Sequence, residues 1–295
     1  MKVTLDVFSG RENPSWELNE KEAKSLLERV AGKSVLTDAQ HDSKLGFSGF
    51  KIEATSDERL PEGVGDSFYI GTDLAAGISG DGLRNPLLGD KEITETFDFL
   101  LSKAGKAVDD DIASYVKSAI KNYGKGTHKE APTADAEDTE LKALSTDAPC
   151  IIANTAYNPG FWNVPAVQPH NNCYNYAMNF KSNTFAQPGR KTGHMYTSLD
   201  CNSVGNGATS DGCKVFCSGS SKLVALVIWP GHDYHWYRRH SNGFWGHKPG
   251  STAARNTDNS GILINGITRT PFNCNRGPYT VFCGYRYSPT GMQVS

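Results

Sequence analysis

Alternating and helically spaced apolar residues predict a small α+β unit in the first part of the chain. Val3, Leu5 and Val7 alternate with polar residues, a pattern typical of a half-buried strand. Asn19 stands before a run whose apolar residues recur at helical spacing, so we expect it to cap a helix over residues 20–30. Further strands and helices are predicted, in chain order, over residues 49–54, 67–70, 93–104 and 109–123.

The second half of the chain is richer in aromatic residues and glycine, and its pattern predicts strands. The continuous apolar run within residues 221–229 is typical of a strand that is buried on both faces. A Ser-Asn-Gly turn signal at residues 241–243 separates segments 233–239 and 244–248, so these segments are expected to form a hairpin. A further aromatic strand is predicted over residues 279–287.

A polar stretch without aromatic residues separates these two halves. Its small and charged residues, from 124 to 148, are typical of a linker or an exposed loop. We therefore predict an α+β accessory domain of unknown role over residues 1–125, a linker over 126–148 and a second domain over 149–295. A chain of 295 residues is long enough for two ordinary domains.

Charge and hydropathy exclude some classes of partner. The 30 basic and 32 acidic residues give a formal charge of -2, so no global electrostatic reason exists to bind nucleic acid. No run approaches the length of a membrane-spanning helix. The apolar stretch at the first residues is too short for a signal peptide, and its apolar residues alternate with polar ones.

All seven cysteines lie in the second half of the chain. Six of them can form up to three disulfides, whose pairing the sequence leaves open. Cys173 is expected to be the single free thiol, because it begins a helix-like apolar stretch whereas the others lie in loop-like segments. Disulfides indicate a secreted or extracellular protein, and a cytoplasmic protein with reduced thiols is the alternative. A zinc site of His194, Cys201, Cys213 and Cys217 is a further alternative, although the spacing fits no standard zinc motif.

Cys173 is also the candidate nucleophile. Asn171 or Asn172 can cap a helix that starts beside it, and the positive end of a helix dipole lowers the pKa of a thiol. Backbone N–H groups at such a helix start can form part of an oxyanion hole. The structural alternative is a buried core cysteine, which is common in proteins.

Two histidines on the predicted hairpin are candidates for the base and its orienting partner. A three-residue turn with Gly243 in the left-handed region would place Tyr237 opposite His247. His235 would then lie diagonally from His247 on the same face, within reach of a hydrogen bond. A two-residue turn would instead point His247 away. We expect the three-residue turn, which makes His235 the general base and His247 the residue that orients it.

Other polar residues near the hairpin are alternatives. Asn256 and Asp258 follow it and can replace His247 as the orienting residue, although Asx turns are their expected role. His232 is a rival base, but its Pro-Gly neighbours place it in a loop. His240 flanks the turn and is expected to be exposed.

The order Cys173, His235, His247 resembles that of the NlpC-type papain-like amidases and peptidases and their CHAP relatives. The segment at residues 172–177 is similar to the CHAP nucleophile segment, and the resemblance covers about residues 150–290. It implies a papain-like α+β domain with a central antiparallel sheet. The usual Asp-Cys-Ser-Gly nucleophile sequence is absent, and 62 residues separate the cysteine from the first histidine.

The resemblance implies a thiol hydrolase that cleaves a peptide, an isopeptide or a peptidoglycan amide without a cofactor or metal. Cys173 would form a thioester while His235 protonates the leaving amine and later activates water. An acyltransferase that uses the same three residues is one alternative. A non-catalytic, disulfide-stabilised secreted binding or toxin module is the other. The sequence leaves the substrate and the oligomeric state open.

Overall fold

The computed structural model describes residues 1–31, 41, 44–55, 60, 66–71, 90–122, 149–153 and 155–295. These residues form mixed helices and sheets, which confirms the α+β class. None of the described helices has the length and apolar character needed to cross a membrane. The predicted linker at 126–148 lies outside the described residues.

The chain divides into two compact units. The first comprises Met1–Val7, Asn13–Ser43 and Phe47–Thr127. The second comprises Phe8–Glu12, Lys44–Gly46 and His128–Ser295. Two short segments of the N-terminal half are therefore parts of the second unit, which the pattern of the sequence did not indicate.

The first unit contains a four-stranded antiparallel sheet of order β2-β1-β3-β4 and three described α-helices. The strands are β1 (Lys2–Asp6), β2 (Ser15–Glu17), β3 (Gly49–Glu53) and β4 (Ser67–Gly71). The helices are α1 (Glu20–Val30), α2 (Asp90–Lys103) and α3 (Asp110–Asn122). These bounds confirm the predicted elements to within a few residues.

Local sequence explains α1 directly. The Asn19 side chain accepts a hydrogen bond from the Glu22 backbone N–H, and the Glu22 carboxylate accepts one from the Asn19 backbone N–H. This reciprocal capping box satisfies amides that the first helical turn leaves without partners. Strand β2 was not predicted, because its three residues carry a single buried apolar position, Trp16.

The second unit contains a five-stranded mixed sheet of order β5-β6-β7-β8, in which β9 also pairs with β6. Strand β5 is parallel to β6, and the other pairs are antiparallel. The strands are β5 (Cys150–Ile152), β6 (Gly219–Trp229), β7 (Asp233–Arg239), β8 (Trp245–His247) and β9 (Val281–Pro289). The helices are α4 (Pro159–Trp162), α5 (Cys173–Met178) and α6 (Cys201–Ser210).

Helix α6 forms where the sequence predicts a loop. Its glycines are poor helix formers, but they permit a close approach that a side chain would block. A Cβ atom on Gly207 would lie 2.6 Å from the carbonyl oxygen of Pro188. Asp200 caps the helix by accepting hydrogen bonds from the backbone amides of Asn202 and Ser203. Packing and capping together therefore outweigh the low helix propensity of the segment.

Two disulfides cross-link the second unit. Cys150 pairs with Cys217, and Cys201 pairs with Cys283. Neither pair joins cysteines that are close in sequence, since their separations are 67 and 82 residues. Sequence proximity therefore gave no guide to the pairing.

The prediction that Cys173 is the single free thiol was wrong. Cys213 and Cys274 are also free, and all three free cysteines are buried. Cys213 packs in the same hydrophobic core as Cys173. The zinc alternative was wrong too, because Cys201 and Cys217 belong to different disulfides.

Candidate functional site

The β7–β8 hairpin has the predicted three-residue turn. The His240 N–H donates to the Phe244 carbonyl over 2.8 Å, which closes the loop around Gly243. Gly243 has a φ of 85°, in the left-handed region where a Cβ atom is unfavourable. Tyr237 consequently pairs with His247, as the sequence predicted.

This turn brings His235 and His247 into direct contact. Their Nε2 and Nδ1 atoms lie 2.9 Å apart, and His247 Nε2 lies 2.8 Å from the carbonyl oxygen of Thr257. A carbonyl only accepts, so His247 must carry its proton on Nε2. The predicted diagonal contact between the two imidazoles is therefore confirmed.

Both imidazoles are buried and neutral. They are 0% and 1% exposed, for His235 and His247 respectively. Burial lowers the pKa of His247 to about 3 and the pKa of His235 well below its ordinary value. Neutral His247 with its proton on Nε2 accepts at Nδ1, so His235 donates from Nε2 and leaves its own Nδ1 unprotonated.

Ser9 occupies the remaining nitrogen of His235. Its Oγ lies 2.5 Å from His235 Nδ1, and because that nitrogen has no proton, the hydroxyl is the donor. The Gly250 N–H donates to the same oxygen over 3.3 Å. Sequence reasoning missed Ser9, which lies 226 residues from His235 in the chain.

Asp233, at the start of β7, anchors the segment that carries Ser9. Its carboxylate accepts hydrogen bonds from the backbone amides of Ser9, Gly10 and Arg11 and from the Tyr279 hydroxyl, at 2.5–3.2 Å. Burial raises its pKa, while the hydroxyl and the amides act in the opposite direction. The sequence signal for this role was a carboxylate at the first position of a buried strand.

Cys173 begins α5 as predicted. The Asn172 side chain accepts from the backbone amides of Tyr174 and Asn175 at 3.0 and 3.1 Å, which makes Asn172 the cap. The Cys173 sulfur lies 3.9 Å from the carbonyl oxygen of Tyr234. Cys173 is thus held in place by the strand that carries His235.

The surroundings of Cys173 are those of a core residue. It packs in one hydrophobic cluster with Tyr234 and Trp236. Because side chains alternate along a strand, His235 points to the opposite face of β7 from those two residues. Both of its nitrogens are engaged by other residues, Ser9 and His247.

Burial dominates the acidity of the Cys173 thiol. It raises the pKa to about 12, and the nearby Asp233 carboxylate acts in the same direction. A hydrogen bond with Ser9 lowers the pKa of the thiol, and so does the positive charge of Lys248. The effect of burial is larger than both. The low thiol pKa that the sequence predicted from the position of Cys173 at a helix start is therefore not observed. The catalytic role of Cys173, His235 and His247 stays a prediction.

Lys248 fixes the loops around this cluster. Its ammonium donates to the carbonyl oxygens of Gln168 and Asn171, each at 2.5 Å, and of Gly250 at 2.8 Å. Burial lowers its pKa to about 7. The residue joins the segment before α5 to the segment after β8, and it was not among the candidates from the sequence.

The alternative orienting residues have structural roles. The Asp258 carboxylate accepts from the backbone amides of Ser260 and Ile262 and from the Arg269 guanidinium. This is the expected Asx-turn role. The backbone carbonyl of Asn256 accepts from the Ile264 amide, within the same loop region.

The other hairpin histidines also pack against neighbours. His240 was expected to be exposed, and that prediction was wrong, since it is 4% exposed and lies 2.7 Å from the Tyr176 hydroxyl. Its other ring nitrogen lies 3.2 Å from the Thr155 carbonyl. His232 lies in the predicted loop, with its ring 5.0 Å from that of Trp229.

Comparison with known proteins gives one informative relative. No family model matches the chain, and no solved structure matches it significantly. Insoluble matrix shell protein 1 of Ruditapes philippinarum is 44% identical over 137 residues, which are 45% of this chain and 90% of the relative. That name does not speak of a papain-like enzyme, so the NlpC-type resemblance stays a prediction. Identity of this extent shows that the chain belongs to the family of insoluble matrix shell protein 1.

Proposed function

We propose that the protein is a secreted, disulfide-stabilised module with a structural or binding role in an extracellular matrix. The observation that carries the proposal is the 44% identity to insoluble matrix shell protein 1. The two disulfides support it, because such bonds form and persist in oxidising extracellular surroundings.

The state of Cys173 also supports a structural role. A thiolate is the nucleophilic form of cysteine, and a thiol with a pKa of about 12 is almost entirely protonated near neutral pH. Its place in the core with Tyr234 and Trp236 is that of a small apolar side chain.

Fractionation of the producing organism tests the matrix role. Material is separated into cell lysate, soluble extracellular fraction and insoluble extracellular matrix, and the chain is located with an antibody. We expect it in the insoluble fraction, with both disulfides intact by non-reducing mass mapping. Recovery from the lysate alone, with all cysteines reduced, would contradict secretion.

We propose a thiol hydrolase or acyltransferase as a second candidate function. It is favoured by the Thr257–His247–His235 hydrogen-bond chain, in which one residue orients the next as in a catalytic triad. Residues 149–295 would then be a papain-like catalytic domain after an accessory domain. Cys173 would attack a peptide, isopeptide or peptidoglycan amide after Ser9 leaves His235 Nδ1.

Alkylation separates the two candidates. The hydrolase predicts that iodoacetamide modifies Cys173 much faster than Cys213 and Cys274, which are equally buried free cysteines in the same chain. It also predicts that His235→Ala removes this difference. Equal, slow modification of the three thiols would refute the hydrolase and leave the matrix module.

A further inference from the structure

We propose that Ser9, His235 and His247 form a serine nucleophile site that transfers small acyl groups from activated esters. This site has not been assigned by the sequence motifs or by the relative. It goes beyond the proposed matrix role, which assigns no chemistry to Ser9. It competes with the hydrolase candidate, because that enzyme would use the same His235 nitrogen for Cys173.

The hydrogen-bond chain determines which atom His235 activates. The Thr257 carbonyl accepts from His247 Nε2, which leaves His247 Nδ1 to accept from His235 Nε2. The one basic nitrogen left on His235 is Nδ1, and it faces Ser9 Oγ over 2.5 Å. Nucleophile, base and orienting residue therefore stand in the order that acyl transfer requires.

Two neighbours hold Ser9 in this position. The Asp233 carboxylate accepts from the backbone amide of Ser9. The Gly250 N–H donates to Oγ over 3.3 Å, which fixes the position of that oxygen. Gly250 has a φ of 48°, and a Cβ atom on it would lie 2.7 Å from the Phe8 carbonyl, so glycine permits this approach.

The proposed reaction needs an ester and water. As Ser9 Oγ bonds to the acyl carbon, its proton moves to His235 Nδ1. The bond from that carbon to the leaving oxygen then breaks, and the departing oxygen takes up the proton. Water attacks the acyl-serine, gives its proton to Nδ1, and Oγ leaves with that proton as the acid is released.

Ser9 is 1% exposed, so a small probe is required. The full chain is incubated with diisopropyl fluorophosphate, and the modified residue is identified by mass mapping. We expect a single adduct on Ser9, formed with loss of fluoride, and release of nitrophenol from p-nitrophenyl acetate. His235→Ala should slow both reactions about 100-fold or more, because general-base help is lost. Exposed His194 provides the matched control, and His194→Ala should change neither rate.

Ser9→Ala should form no adduct, and Ser9→Cys tests the same position if the alanine variant fails to fold. Ser9→Cys keeps a hydrogen-bond donor to His235, and iodoacetamide should then modify residue 9. An adduct on Cys173, an adduct on Ser9 that persists in His235→Ala, or no adduct on protein whose circular dichroism is native would each overturn the proposal.

Discussion

The protonation of single side chains governs the cluster around His235 and His247. Both imidazoles are neutral because charging them in the core would cost their hydration. Neutrality is what permits one ring to donate to the other, since two imidazolium ions would both be donors. The same feature makes the stability of the fold depend on pH.

We predict that the free energy of unfolding falls as the pH drops from about 6.5 toward 4. In the unfolded chain a histidine binds its proton near pH 6.5, whereas folded His247 does so only near 3. The unfolded state therefore binds more protons in this window, and each buried histidine contributes a slope of about 1.4 kcal/mol per pH unit. Urea unfolding at several pH values measures the slope.

His247→Gln isolates the contribution of one ring. Below pH 6.5, the free energy of unfolding of the variant should change with pH by about 1 kcal/mol per pH unit less than that of the wild type. Above pH 7 the two proteins should have the same slope. An identical slope in both proteins below pH 6.5 would show that His247 is already charged in the fold.

Lys248 gives a second prediction for a single residue. Lys248→Met removes the donor to three carbonyl oxygens, and buried acceptors without partners are costly. We expect the free energy of unfolding to drop by about 3 kcal/mol or more. Lys191→Met is the matched control, because Lys191 is exposed and contacts one side chain, Gln293. Equal effects of the two substitutions would contradict the bridging role of Lys248.

At the scale of elements, the β7–β8 hairpin depends on the backbone of Gly243. A Cβ atom there would meet no other atom within 4 Å, so Gly243→Ala tests backbone strain alone. We predict a loss of about 1 kcal/mol in the free energy of unfolding. Gly291→Ala is the control, since its Cβ would also meet nothing and its φ is not in the left-handed region. A Gly243→Ala effect as small as the control would mean that the turn relaxes.

The hairpin also shows which features of the structure local sequence rules can predict. Turn chemistry and strand alternation act over a few residues, so they predicted the loop type and the contact between His235 and His247. The same rules placed Asn172 at the start of α5. They could not place Ser9, because its contact with His235 depends on how segments 226 residues apart pack. Nor could they predict that burial raises the pKa of the Cys173 thiol.

Helix α6 and the cysteines illustrate the same limit. The helix forms because Gly207 packs closely on Pro188, a tertiary contact that composition does not encode. The disulfides join β5 to the segment before β6, and α6 to β9, so their pairing follows the topology of the sheet. For this reason Cys213 could remain free although it lies only four residues from a bonded cysteine.

At the scale of the whole molecule, the two disulfides of the second unit are consistent with folding in an oxidising compartment. Loops of 67 and 82 residues give nearly the same closure entropy, so each bond is expected to contribute roughly 2–4 kcal/mol to the free energy of unfolding. Together they are comparable to the total stability of many domains, about 5–15 kcal/mol. A protein that depends on both bonds folds poorly where thiols stay reduced.

We therefore predict that removing both bonds, by serine at Cys150, Cys217, Cys201 and Cys283, lowers the unfolding midpoint in urea far more than removing either pair. Each pair alone should have a similar effect, because the loop lengths differ little. Dithiothreitol should lower the midpoint of the wild type and leave that of the variant without bonds unchanged, which controls for other effects of the reductant. A wild-type midpoint that is insensitive to reductant, with both bonds shown to be reduced, would mean that the core alone stabilises the unit.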